Sequence, residues 1–331
     1  MKKFVAILLT LMLVLGIGAA VATEAEVTPT TDTDLTDHET VKIKKVYKLE
    51  GAGTSPVETF TLKQVGDGTV TNGEATSAPA LGTITGAAFA AGAATANGAT
   101  GEITVALPKY TSVGVYEYTL QEVAGTTAGV TYYGETIKLV VTVVNGGNNN
   151  LLRIAGVHTE SSGVKSDTFE NTYRAGTLNV SKTVTGNLGD KNKYFEFKMT
   201  LTGENGKTYG ASYAVSGGSD SSNPQSIKIG EETTFKLKHG DTLSIANLPY
   251  GVTYTVTEAA AEGYTTKVGE TATSEVKGSI DAATQTEAFT NTKTGSIDTG
   301  VTTENLPYVL LIGFVVLAGA ALLIKRKAHN N

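Results

Sequence analysis

The stretch Val41-Lys42-Ile43-Lys44-Lys45-Val46-Tyr47-Lys48-Leu49 decides the fold. A strand turns successive side chains to opposite faces. Val41, Ile43, Lys45, Tyr47 and Leu49 therefore share one face, while Lys42, Lys44 and Lys48 lie with Val46 on the other. That alternation predicts a half-buried β-strand, and it sets one lysine, Lys45, on the apolar side. The rest of the body has the same texture: short runs of Thr, Val, Tyr and Ile broken by Gly and Asn, with no sustained 3.6-residue period. An all-β chain is expected. Residues 86–99, dense in Ala, Gly and Thr, read as a loop.

The opening strand returns later in the chain. Leu178-Asn179-Val180-Ser181-Lys182 repeats it, Tyr254-Thr255-Val256-Thr257-Glu258 repeats Tyr118-Thr119-Leu120-Gln121-Glu122, and Phe289-Thr290-Asn291-Thr292 repeats Phe169-Glu170-Asn171-Thr172. The Lys-to-Glu separations are 77 and 76 residues, while the Glu-to-Asn separations are 49 and 33, so the first copy carries an insertion between Glu122 and Asn171. Two β-sandwich domains, 39–174 and 175–294, are expected to meet near Arg174 to Gly176.

The same reading of faces applies to every landmark. Lys182 aligns with Leu178, Val180 and Val184; Glu122 with Tyr116, Tyr118 and Leu120; Glu258 with Val252, Tyr254 and Val256; Asn171 follows Phe169 and Asn291 follows Phe289. Each domain is thus expected to bury one Lys, one Glu and one Asn. Buried polar groups are costly unless they satisfy one another, so the three should lie together. Desolvation disfavours charge, and a neutral amine can then sit beside a protonated carboxyl. The expected chemistry is attack of Lys45 on the side-chain carbonyl of Asn171, with Glu122 polarising that carbonyl and passing the proton to departing ammonia. Lys182, Glu258 and Asn291 would form the second isopeptide bond in the same way. Proximity inside a folded core supplies up to ~10 kcal/mol of the barrier, so no external enzyme is required.

The two ends stand apart from this body. Residues 1–22 run from Lys2 and Lys3 through an apolar stretch to Ala20-Val21-Ala22, the order of a secretory signal. Residues 23–38 are rich in Thr, Asp and Glu and read as a flexible arm. Residues 295–331 hold an uncharged span, 306–324, followed by Lys325-Arg326-Lys327, which is long enough to cross a bilayer with its basic flank inside. An exported protein whose precursor is held in the membrane by its tail is expected. With only residues 1–22 and 301–331 set aside, the remainder keeps 21 of the 26 basic residues and 31 of the 32 acidic ones, a net charge of about −10. Nucleic acid is therefore not an expected partner, since phosphate binding needs clustered Lys and Arg. Cysteine is absent, so covalent reinforcement of an exported chain would have to use other side chains.

These residues resemble the two-domain backbone pilins of Gram-positive bacteria, in particular the streptococcal T-antigen-like pilins, over residues 41–300. The resemblance implies tandem Ig-like sandwiches in which the first strand supplies the lysine, a Val-Thr-Glu-like strand end supplies the glutamate, and a terminal Phe-x-Asn supplies the amide. Lys45, Glu122 and Asn171 fit this pattern, and Lys182, Glu258 and Asn291 fit it more closely. It further implies polymerisation by a sortase. Ser296-Ile297-Asp298-Thr299-Gly300 stands where the sorting motif belongs, with cleavage between Thr299 and Gly300. Asp298 replaces the usual proline, which points to a dedicated pilin sortase. The joining lysine implied on the next subunit is Lys165, in Gly163-Val164-Lys165-Ser166. The partners implied are that sortase, further copies of the chain, and a tip adhesin and peptidoglycan, on the cell surface.

Two rival readings are weighed beside this one. The first is a wall-anchored adhesin or minor pilin that binds a host ligand without forming a fibre. The second is a surface enzyme. His38, His158, His239 and His329 sit in polar contexts without nucleophile or metal-ligand spacing, so neither turnover of an outside substrate, nor a metal, nor a cofactor is expected.

Overall fold

A computed structural model of the chain describes residues 39–146 and 152–296, together with Leu311 and Val315. These residues form two β-sandwiches in tandem. The first contains β1 (Thr40–Gly51), β2 (Glu58–Phe60), β3 (Leu62–Gln64), β4 (Thr69–Thr71), β5 (Ile84–Thr85), β6 (Ala87–Phe89), β7 (Ala99–Ala106), β8 (Gly114–Glu122), β9 (Val130–Thr131), β10 (Thr136–Asn145), β11 (Leu152–Ser161) and β12 (Val164–Lys165). Strand β13 (Thr168–Thr185) belongs to both sandwiches. The second continues with β14 (Phe195–Thr202), β15 (Tyr213–Gly217), β16 (Ser226–Ile227), β17 (Glu232–Leu237), β18 (Thr242–Pro249), β19 (Thr253–Glu258), β20 (Thr265–Val268), β21 (Glu275–Ser279) and β22 (Thr284–Thr292).

In the first sandwich, β1 lies between β7 and the first half of β13, facing a sheet in which β8 is flanked by β10 and β3. In the second, the latter half of β13 lies between β18 and β22, facing a sheet ordered β17-β14-β19-β21. The first and last strands of each domain are thus parallel neighbours, β1 with β13 and β13 with β22. Parallel partners cannot be joined by a hairpin, so the whole domain lies between them in sequence. Apolar residues fill two separate cores: Ile43, Tyr47, Phe60, Tyr118 and Leu120 in the first, and Val180, Phe197, Leu201, Val256 and Phe289 in the second.

A single strand serves both cores because its phase slips once. Phe169, Asn171, Tyr173 and Ala175 are buried in the first half, and Gly176, Leu178, Val180, Lys182 and Val184 in the second. A slip of one residue turns every later side chain to the opposite face. It occurs at Ala175–Gly176, beside a register shift between Gly176 and Leu178 against β18. A Cβ on Gly176 would stand 2.2 Å from the carbonyl oxygen of Ala282, so the slip leaves room only for glycine. The joint is also tied laterally: Thr208 N donates to Thr126 O at 2.8 Å, Ala128 N to Thr208 O at 2.9 Å, and Tyr250 N to Arg174 O at 3.0 Å.

Within the stretch 86–99, read from sequence as a loop, Ala87–Phe89 forms β6 and pairs with β2. Ala87 and Phe89 are buried against the first core, and that packing organises a segment whose composition gives no strand signal. The extra length between Glu122 and Asn171 holds β9 to β12, including the β10–β11 hairpin.

Candidate functional site: two buried Lys-Glu-Asn clusters

The parallel pairing sets the geometry. Lys45 is opposite Phe169 and Tyr47 opposite Asn171; in the second domain Lys182 is opposite Phe289 and Val184 opposite Asn291. Lysine and asparagine therefore lie on adjacent strands, on the same face and two residues out of step. Glutamate comes from the other sheet, at the last position of β8 or β19. All six residues are buried.

In the first domain, Lys45 Nζ donates to Glu122 Oε2 and, at 2.7 Å, to Asn171 Oδ1. Asn171 Nδ2 donates to Glu122 Oε1, which also receives the backbone N–H of Tyr133 at 3.2 Å. In the second domain, Lys182 Nζ donates to Glu258 Oε2 at 2.6 Å and Asn291 Nδ2 donates to Glu258 Oε1, so one carboxyl bridges amine and amide. Asn291 Oδ1 is buried without a hydrogen-bond partner.

Aromatic rings wall both amines. Lys45 Nζ lies 5.3 Å from the centre of Phe60 and 5.7 Å from that of Tyr133; Lys182 Nζ lies 4.4 Å from Phe195 and 5.6 Å from Phe197. Burial among them pushes the Lys45 amine below its ordinary range, against the opposing pull of Glu122. The same desolvation brings Lys182 down to about 8, with Glu258 again acting in the other direction. An amine with a pKa near 8 is neutral in roughly one molecule in ten at pH 7, far more than an ordinary lysine, and only a neutral amine can act as a nucleophile. Each cluster thus brings together an amine whose pKa is lowered by burial, a carboxyl and a side-chain amide.

Sequence reasoning identified the six side chains but not their surroundings. Phe60, Phe195 and Phe197, and the Tyr133 amide, come from strands or loops whose approach depends on sheet packing; their apolar alternation marks them as core and nothing more. Lys165 is exposed on β12, at the edge of its sheet and opposite Glu160. Ser296 is exposed just beyond the point where Asn187 holds Gly295, through Nδ2 to Gly295 O at 2.7 Å and Gly295 N to Oδ1 at 3.1 Å. Ile297, Asp298, Thr299 and Gly300, the signal 1–22, the arm 23–38 and, apart from Leu311 and Val315, the span 306–324 lie outside the described residues. Among the described residues no helix is long and apolar enough to cross a membrane.

Each of the two tandem sandwiches buries a Lys-Glu-Asn cluster, with lysine and asparagine on its parallel end strands and glutamate on the opposing sheet. Residues 41–174 match the family described as the Spy0128-like isopeptide containing domain, and residues 176–293 match a domain of unknown function (DUF7601). The chain is 34% identical to the pilin of Streptococcus pyogenes serotype M1 over 176 residues, 48% of this chain and 51% of that protein. It is 33% identical to the pilus tip adhesin Cpa of Streptococcus pyogenes over 129 residues, 38% of this chain and 18% of that protein. The chain thus spans about half the length of the matched pilin. The fold is similar to the crystal structure of the major pilin from Streptococcus pyogenes, with a TM-score of 0.51 and 22% identity, covering 78% of this chain and 99% of that one.

Proposed function

We propose that this chain is a structural subunit of a sortase-assembled surface pilus, each domain of which closes one Lys–Asn isopeptide bond with the help of its buried glutamate. The observation that carries this reading is the burial of a complete Lys-Glu-Asn cluster in each of two domains. In the first domain the neutral Lys45 amine adds to Cγ of Asn171. Glu122 takes the proton that Nζ sheds and gives one to Nδ2, ammonia departs, and a Cγ–Nζ amide remains. Lys182, Glu258 and Asn291 follow the same course. Enclosure also supports a single internal event, because the Lys45 and Glu122 side chains are each 1% exposed and those of Lys182 and Glu258 are 0% exposed, closing them to an outside substrate.

The bonds would give the subunit a short covalent load path. Force entering through β1 would cross from Lys45 to Asn171, run along β13 to Lys182, and cross to Asn291 in β22. Of the chain between those bonds, only the already extended segment 171–182 would carry the load, and the sheets would be bypassed.

Within this reading a dedicated pilin sortase cuts the motif Ser296–Gly300 between Thr299 and Gly300 and transfers Thr299 to Lys165 of another copy. The exposure of Lys165 on a sheet edge supports the last step. Intact-mass measurement of residues 23–299 tests the bonds: two ammonia molecules should be missing, one of them restored by Glu122→Ala and the other by Glu258→Ala. An undiminished mass refutes the bond assignment. A covalent ladder in cells that vanishes with Lys165→Ala supports the fibre, whereas a single anchored band supports the alternative of a wall-anchored adhesin or minor pilin that binds a host ligand without forming a fibre.

A further inference from the structure

Two residues beyond Lys182, the amide of Val184 has no neighbouring strand to bond. Alternate residues of a strand present their backbone groups to opposite neighbours, so Lys182 and Val184 both direct their N–H groups away from β22. On that side β18 reaches only to the pairing of Ser181 with Thr242. The turn at 238–241 then takes over: Lys182 N donates to Asp241 O at 2.9 Å, and Gly240 N donates to Lys182 O at 2.9 Å. The next amide, Val184 N–H, donates to Nδ1 of His239 at 3.0 Å. An imidazole nitrogen stands where the carbonyl of another strand would be. Because the amide must donate, Nδ1 accepts and the ring is the neutral tautomer with its hydrogen on Nε2.

The support for this ring is itself fixed. The Asp241 carboxylate accepts from Lys238 N at 3.1 Å, Ser219 N at 3.2 Å and Ser219 Oγ at 2.8 Å, which braces the turn internally and ties it to the loop after β15. The first domain has no need of such a device, since β7 accompanies β1 as far as the pairing of Tyr47 with Ala99, and Tyr47 is the counterpart of Val184. Val184 lies directly opposite Asn291 and is 1% exposed, so without its acceptor a buried amide would be left unpaired.

We propose that His239 is a positioning residue for bond closure in the second domain: its Nδ1 fixes the backbone at Val184 and thereby the register that holds Lys182 against Asn291. The proposal rests on the isopeptide reading of that cluster. Two substitutions separate hydrogen bonding from packing: His239→Phe keeps a ring without an acceptor, and His239→Asn keeps an acceptor, Oδ1, near the place of Nδ1. Full chains made by cell-free synthesis are sampled over time, and ammonia loss is assigned to each domain by peptide mass. Closure in the second domain should slow roughly ten- to hundred-fold in His239→Phe, the scale of a small misplacement of reacting groups. It should stay near the wild-type rate in His239→Asn, with the first domain unaffected in both. A wild-type rate for His239→Phe, or equal slowing in both variants, overturns the positioning role while leaving the bond intact. A wild-type chain that loses no ammonia from its second domain overturns the bond itself, and the positioning role with it. Should His239→Phe not fold, hydrogen exchange of the Val184 amide in Glu258→Ala decides: protection like that of Val180 supports the proposal, and exchange at the rate of an open amide refutes it.

Discussion

Phe169 lies directly opposite Lys45 in the parallel register of β1 and β13, and Phe289 holds the same place opposite Lys182. From that pairing, the next same-face residue on the last strand is asparagine, Asn171 or Asn291. The two domains share this arrangement although the glutamate lies 49 residues before its asparagine in one and 33 in the other. The clusters are therefore positioned by the end strands and the opposing glutamate, and the intervening loops are free to vary.

Loss of either bond should lower thermal stability. Each proposed bond would close a long loop, 126 residues between Lys45 and Asn171 and 109 between Lys182 and Asn291. By the chain-entropy argument used for disulfides, each is worth ~4–5 kcal/mol. Glu122→Ala and Glu258→Ala should each lower the Tm of their own domain by about 15–20 °C, read by calorimetry, with the other domain's transition little changed.

Pulling on single molecules distinguishes cross-linked domains from merely folded ones. The wild type should show no unfolding extension from either domain. Glu122→Ala should release the segment between Lys45 and Asn171, roughly 40 nm of contour at full extension. An equal release from the wild type would contradict the load path.

Lys182 gives a pH signature in a chain that cannot close the second bond. Its amine is brought from 10.5 in the ordinary case to about 8 in the folded domain. Between about pH 8 and 10.5 the unfolded chain therefore binds more protons at this lysine than the folded one, and stability from this group rises with pH through that window. Asn291→Ala keeps Lys182 and Glu258 but cannot react. The stability difference between Asn291→Ala and Asn291→Ala/Lys182→Met, measured by denaturant titration, should shift in favour of the lysine-containing chain from pH 8 to 10.5. A flat or opposite trend would show that the amine is not desolvated.

Gly176→Ala tests the phase slip in β13. The added methyl would meet the carbonyl oxygen of Ala282 at 2.2 Å, a backbone atom with no flexible end to swing aside. A loss of about 2–3 kcal/mol is expected, the range for strain at a tightly constrained position. It should appear in denaturant unfolding as an early transition of the second domain. Stability equal to the wild type would mean that the strand passes the joint in another way.

Much of this was open to reading in the residues alone. Period-two alternation placed Lys45 and Lys182 among Val, Ile, Leu and Tyr, and Glu122 behind Tyr116, Tyr118 and Leu120, because a strand's faces follow from its own chemistry. Composition could not place Ala87–Phe89 in a strand, since its pairing with β2 and its burial depend on groups far away in sequence. The repeat set the expected domain border near Arg174 to Gly176, but it does not show that one unbroken strand, β13, runs through those residues.

The sequence by itself determined which residues face inward, and so that each domain must bury an amine, a carboxyl and an amide in a fixed order. Only the tertiary structure decided that the end strands run parallel, that glutamate reaches across from the opposing sheet, and that His239 supplies the acceptor β18 does not. Facing is a local property with a period of two residues, whereas pairing and enclosure depend on which distant strands share a sheet.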